Sequence, residues 1–272
     1  MKKTAAGVAV IIMMCVAAMA GAQSVDEWYD GGVDAYNTGN LEKAIECFTK
    51  VIELDPEDAY AYCDRGWAYS DLGRYDDAIS DFTKAIELEP GDSYIYCDRG
   101  WAYSELGRHD DAISDFTKAI ELLPGDAYAY CNRGWVYNGL GRYDEAISDF
   151  TKAIELDPWD PYAYCDRGWA YCELGRYDEA VSDLTKAIEL DPGDSYTYSN
   201  RGWAYCELGR YDEAVRDFTK AIELDPWDAF AYYDRGWAYY DSGDIEKARA
   251  DFKTACDMGL SEACSELEYL GE

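Results

Sequence analysis

Histidine is almost missing from this chain: one residue in 272, His109. With a single imidazole there is no His-based triad or cluster, and no glycine-rich phosphate loop takes its place. Positive charge is scarce as well. Twenty-four lysines and arginines face 56 aspartates and glutamates, a formal net charge of -32. Such a surface repels phosphate backbones, which excludes nucleic acid as a partner. It also disfavours anionic membrane surfaces and leaves basic or neutral partners. The carboxylates recur at helix starts and polar faces, so no acid pair for glycoside hydrolysis can be singled out. The expectation is a non-enzyme without cofactor or metal.

Long apolar runs are absent after the first residues. At the N-terminus, Lys2 and Lys3 precede an apolar stretch from Ala5 to Ala20, then small residues in the overlapping patterns Ala18-Met19-Ala20 and Ala20-Gly21-Ala22. This reads as a signal peptide over 1–22, cut after Ala22, and predicts an exported protein, periplasmic or extracellular. The run is short for a membrane anchor. Cys15 follows Met14 rather than the small residue of a lipoprotein signal. No integral membrane span is expected once the signal is removed.

What is present is periodic. The composition is 49% hydrophobic and 15% aromatic, ample for a core. The stretch AYAYCDRGWAYSDLGRYDDAISDFTKAIELEPGD, Ala59 to Asp92, is followed by close copies starting at Ser93, Ala127, Pro161, Ser195 and Ala229. A divergent copy starts at Val25. Seven 34-residue units therefore occupy 25–58, 59–92, 93–126, 127–160, 161–194, 195–228 and 229–262. Fixed-period self-similarity marks a repeat architecture.

Each unit reads as two helices. Asp58, with aspartate in the same slot at 92, 126, 160 and 194, caps the first. Gly73 ends it in a left-handed turn. Asp76 and Asp77 open the second at the positive end of its dipole, and Pro90 prevents its continuation. Tyr62, Gly66 and Tyr69 form one face; Ala78, Phe82 and Ala85 answer it from the second helix, small residues letting aromatics interdigitate. Two columns are present together and absent together. Arginine at 65, 99, 133, 167, 201 and 235 accompanies aspartate at 81, 115, 149, 183, 217 and 251, whereas the first unit has Gly31 and Cys47. This predicts an ion pair inside each unit.

The columns of Gly66, Tyr69, Gly73, Tyr75, Ala78, Phe82, Ala85 and Pro90, with the aromatic before them, resemble the tetratricopeptide repeat over Val25 to Glu262. The usual tryptophan near the start of the first helix survives only as Trp28, replaced by Tyr62, Tyr96, Tyr130, Tyr164, Tyr198 and Tyr232. The resemblance implies an all-α, right-handed superhelical solenoid whose first helices line a concave, partner-binding groove. Cys256 and Cys264 resemble the cysteine pair of Sel1-like repeats, which implies a disulfide joining adjacent helices, consistent with export. Residues 263–272 read as a capping helix, since terminal units must hide their last apolar face.

A second stripe runs along each first helix at the positions that face the groove in that family. It comprises Tyr60, Cys63, Asp64 and Trp67; Tyr94 and Trp101; Tyr128 and Trp135; Tyr162 and Trp169; Tyr196 and Trp203; and Phe230 and Trp237. Exposed apolar patches mark binding sites, so these are the candidate partner-binding residues. Packing that merely stiffens the stack is the structural alternative. Indole faces and nearby carboxylates suit a protein or peptide that is basic or aromatic-rich. A glycan-binding module or a structural spacer are the other readings. The lysine, arginine and asparagine set with which some family members hold a C-terminal carboxylate is replaced here by cysteine, tryptophan and aspartate. The cysteine ladder at 63, 97, 131 and 165 is spaced two packed helices apart, too far for disulfides or a shared metal.

Overall fold

The computed structural model describes residues 24–270; the expected signal peptide lies outside the described residues. Among these there are fifteen helices and no strand. Seven consecutive pairs are α1 (Val25–Asn37) and α2 (Leu41–Leu54), α3 (Ala59–Asp71) and α4 (Tyr75–Leu88), α5 (Ser93–Glu105) and α6 (His109–Leu122), α7 (Ala127–Gly139) and α8 (Tyr143–Leu156), α9 (Pro161–Glu173) and α10 (Tyr177–Leu190), α11 (Ser195–Glu207) and α12 (Tyr211–Leu224), and α13 (Ala229–Asp241) and α14 (Ile245–Asp257). A last helix, α15, spans Ser261–Tyr269. The chain divides into two compact units, one ending at Leu122 and one beginning at Leu123. The first holds α1 to α6 and the second α7 to α15.

Local chemistry sets the helix ends. The Asp58 carboxylate accepts a hydrogen bond from the Ala61 amide at 3.0 Å, and Asp92 and Asp160 cap α5 and α9 in the same way. After α3 the backbone reverses through Gly73 at φ 71°, a conformation that a side chain resists. Within each pair the first helix approaches the second over a glycine. A Cβ on Gly66 would lie 2.7 Å from the Phe82 ring, so only glycine admits that ring. Phe48, Phe82, Phe116, Phe150, Phe218 and Phe252 repeat the arrangement as fully buried side chains, with Leu184 in the same column of the fifth pair.

The predicted ion pairs are present in all six units that carry both columns. The Arg65 guanidinium donates from Nε and Nη2 to both carboxylate oxygens of Asp81 at 2.7 Å. Equivalent bidentate pairs join Arg99 to Asp115, Arg133 to Asp149, Arg167 to Asp183, Arg201 to Asp217 and Arg235 to Asp251. The guanidinium also reaches backwards. Arg65 Nη1 donates to Thr49 Oγ1 at 3.0 Å in the preceding pair, and Arg99 does the same to Thr83. Tyr62 and Tyr69 rings lie 5.7 and 5.8 Å from the same cation. The arginine therefore joins successive helix pairs as well as the two helices of one pair, a link that the paired columns alone did not reveal.

In the second unit α15 covers the end of α14. Leu267 is buried against Ala248 and Phe252, Arg249 donates to the Leu270 carbonyl at 2.8 Å, and Cys256 is disulfide-bonded to Cys264. This helix begins at Ser261, slightly before residue 263. No helix among the described residues is long and apolar enough to cross a membrane.

Candidate functional site

Successive first helices touch within each unit: α1 with α3 and α3 with α5 in the first, and α7, α9, α11 and α13 in turn in the second. The face they share carries the candidate residues, and the structure sorts these into three kinds.

The aromatic at the second position of the first helix is exposed in the six pairs from α3 onward. Tyr60, Tyr94, Tyr128, Tyr162, Tyr196 and Phe230 each leave more than half their surface in solvent. Each sits in the first turn of its helix.

The tryptophans are walls. Trp67, Trp101, Trp169, Trp203 and Trp237 are half-buried, and only Trp135 is as exposed as the tyrosines, at 51%. Their rings are held by edge contacts: Trp67 on Phe82, Trp101 on Tyr75, Trp169 on Tyr143 and Trp203 on Tyr177. Trp67 and Trp101 lie 6.2 Å apart at a 31° tilt. These residues are partly packed and partly open to solvent.

The cysteines belong to the core. Cys63, expected on the partner-binding stripe, is buried, as are Cys97, Cys165 and Cys172. The reason is geometric: residue 63 projects toward the following first helix, where Cys63 packs with Ile95 and Ala102. Burial and the surrounding aspartates push its thiol well above the ordinary range. Seven cysteines among the described residues are outside any disulfide, and no group of three or more His, Cys, Asp or Glu among those residues could hold a metal.

Asp64 is half-buried, accepts a hydrogen bond from the Tyr29 hydroxyl, and has its carboxyl pushed up by burial. The same column holds Asp98, Asn132, Asp166, Asn200 and Asp234. Burial raises Asp98, Asp166 and Asp234 to about 7; Asp98 also accepts from the Trp67 indole, while neighbouring Asp92, Asp160 and Asp228 add repulsion. This column was read from sequence only as a general source of negative charge, although the alternation of aspartate with asparagine was visible there.

Cavities open beside these carboxylates. In the first unit, one of about 430 Å³ is lined by Val33, Tyr36, Asn37, Phe48, Asp64 and Trp67. In the second, Trp135, Asn138, Asp166, Trp169 and Tyr196 enclose about 200 Å³. Trp203, Glu207, Phe218, Asp234, Trp237 and Asp241 line about 260 Å³. The recipe is constant: an aromatic from one first helix, and an aspartate from the next.

Three further residues stand apart from the stripe. Trp159 and Trp227, in turns between pairs, are 75% and 84% exposed. His109 replaces the tyrosine that opens the other middle second helices, and its Nδ1 is buried without a partner among the described residues.

Sequence profiles described as tetratricopeptide repeat match residues 59–92, 93–126, 127–160, 161–194, 195–228 and 229–258, and one described as TPR repeat matches 34–73. The chain belongs to the tetratricopeptide repeat family. A 48-residue stretch of this tetratricopeptide repeat protein is 42% identical to the human small glutamine-rich tetratricopeptide repeat-containing protein beta, covering 18% of this chain and 16% of that one. Among solved structures, a tetratricopeptide repeat protein from Parabacteroides merdae superposes with a TM-score of 0.69 at 24% identity, over 92% of this chain and all of that one. MamA gives 0.57 at 31% identity, over 62% of this chain and 92% of its own. YrrB, a TPR protein with an unusual peptide-binding site, gives 0.57 at 28% identity, over 69% and 97%.

Proposed function

We propose that this tetratricopeptide repeat protein is an exported, non-enzymatic scaffold that holds an extended peptide, or an extended segment of a partner protein, along the groove formed by its first helices. The observation that carries this reading is the aromatic side chain repeated at one helical position, more than half exposed each time, whereas the phenylalanines of the second helices are fully buried. Tyrosine in that setting supplies rigid contact area with a polar tip, at low entropic cost. Tyr60 and Tyr94 serve the first unit, with Asp64, Trp67 and Trp101 behind them. Tyr128, Tyr162, Tyr196 and Phe230 serve the second, backed by Trp135, Trp169, Trp203 and Trp237. The partner is basic or aromatic-rich, which suits the carboxylates Asp64, Asp166 and Asp234 beside the cavities on this face. YrrB's peptide-binding site supports the class of ligand. Export is supported by the leader-like residues 1–22 and by the Cys256–Cys264 disulfide.

Tryptophan fluorescence titrated with short tyrosine-containing peptides tests the reading. Binding is expected to weaken about tenfold in Tyr128→Ser with Tyr162→Ser, whose side chains carry none of the core. A response to cell-wall glycans alone, insensitive to salt, would overturn it in favour of a carbohydrate-binding module. Unchanged binding in the double variant would remove the aromatic row from the site.

A further inference from the structure

Asp166 and Asp234 occupy one helical position two repeats apart, and each lies against its own cavity between tryptophans. Neither carboxylate accepts a hydrogen bond from, or pairs with, any cation among the described residues of the second unit. Asp183 and Asp217, in the same unit, are each clamped by an arginine. Between the two cavities the same position is Asn200, whose amide is engaged with Cys165 and Tyr196. A carboxylate held partly out of water without a partner is costly, and a cation from outside relieves that cost. Tryptophan faces on either side add attraction for the same charge.

We propose that these cavities are two cation subsites, each receiving the ammonium or guanidinium head of a lysine or arginine from one extended ligand, and that the Asn200 position between them takes an uncharged residue. This rests on the groove-binding reading and adds the ligand's charge register to it. First helices of neighbouring repeats touch, so at about 8–10 Å per packed neighbour the subsites lie roughly 16–20 Å apart. An extended chain advances about 3.3 Å per residue, which places the two cations about five or six residues apart. Glu207 and Asp241 at the Asp234 cavity, and Asp160 behind Asp166, add to the same negative field.

The test compares three synthetic peptides of alanine, serine and tyrosine. One carries two lysines five residues apart, one has both replaced by glutamine, and one has the lysines adjacent. Wild-type protein at low salt is expected to bind the spaced dilysine peptide at least about tenfold tighter than the glutamine peptide, with the adjacent pair intermediate. Asp166→Asn with Asp234→Asn should lower the dilysine affinity to that of the glutamine peptide and leave the latter unchanged. Asparagine is tolerated at this position, since Asn132 and Asn200 already occupy it. A lysine preference that survives the double variant overturns the subsites while leaving groove binding standing. Failure of all three peptides to bind overturns both.

Discussion

The second unit contains two sets of aspartates, one buried and one half-buried, that look alike in composition and differ in company. Asp183 sits between helices of one pair, and both of its oxygens accept from Arg167, which also donates to Thr151 and lies 5.9 Å from Tyr164 and Tyr171. Asp166, one residue before that arginine, points the other way into an open cavity and has no such partner. The difference is one of direction on the helix. Adjacent residues are about 100° apart around an α-helix, so Arg167 faces its own second helix while Asp166 faces Trp135 and Asn138 of the preceding repeat. The first set answers its charge internally and serves the stack. The second leaves its charge unanswered, which is a liability for folding and an opportunity for a ligand.

The largest expected effect comes from turning the first set into the second. Arg167→Met leaves Asp183 buried and unpaired, and Asp183→Leu strands the arginine. Either should lower stability by about 3–5 kcal/mol. The double variant should recover most of that loss, because two apolar groups replace a satisfied pair. Urea titration followed by circular dichroism measures all three; simple additivity would show that the pair is not a coupled unit.

A smaller effect follows from the pH dependence of the aspartates in the column of Asp166. In the folded chain Asp98, Asp166 and Asp234 take up protons near pH 7, whereas an unfolded aspartate does so near pH 3.9. Between those values the folded state holds protons that the unfolded state lacks, so these groups make stability fall as pH rises from about 4 to 7. Acidification from pH 8 to pH 5.5 should therefore raise the thermal midpoint. General repulsion at a net charge of -32 acts in the same direction. The informative quantity is the difference between wild type and Asp98→Asn, Asp166→Asn, Asp234→Asn. The triple variant should show a flatter profile, and identical slopes would mean that the three carboxylates are hydrated as in the unfolded chain.

The smallest effect is the converse substitution. Asn200→Asp extends the unpaired row in the second unit and should lower stability at pH 8 by roughly 1 kcal/mol, with less effect at pH 5.5. Measurement of the urea midpoint at both pH values checks it. A larger loss, equal at the two pH values, would point instead to the lost contacts of the Asn200 amide with Cys165 and Tyr196.

Much of the fold was legible in the chain because repetition multiplies weak signals. One Asp cap or one Gly turn decides little, but Asp58, Asp92 and Asp160 all cap first helices, and Gly73 recurs as Gly107, Gly141, Gly175 and Gly209 at the same positive φ. The co-occurring arginine and aspartate columns were readable for the same reason. The candidate site was legible only as a stripe. Spacing places Cys63, Asp64 and Trp67 near one another on α3, but not at what depth each lies.

Periodic apolar spacing, caps and turn glycines thus determined paired helices in tandem, because those signals act within one or two turns of chain. The non-enzymatic reading likewise came from composition. Which members of the stripe meet solvent was decided by the approach of the neighbouring first helix, which buries Cys63 and half-buries Trp67 while leaving Tyr60 free. The same approach sets Asp166 against a cavity beside Trp135 of the preceding first helix. The burial of this stripe depends on segments 34 residues apart, and no local pattern in either segment specifies it.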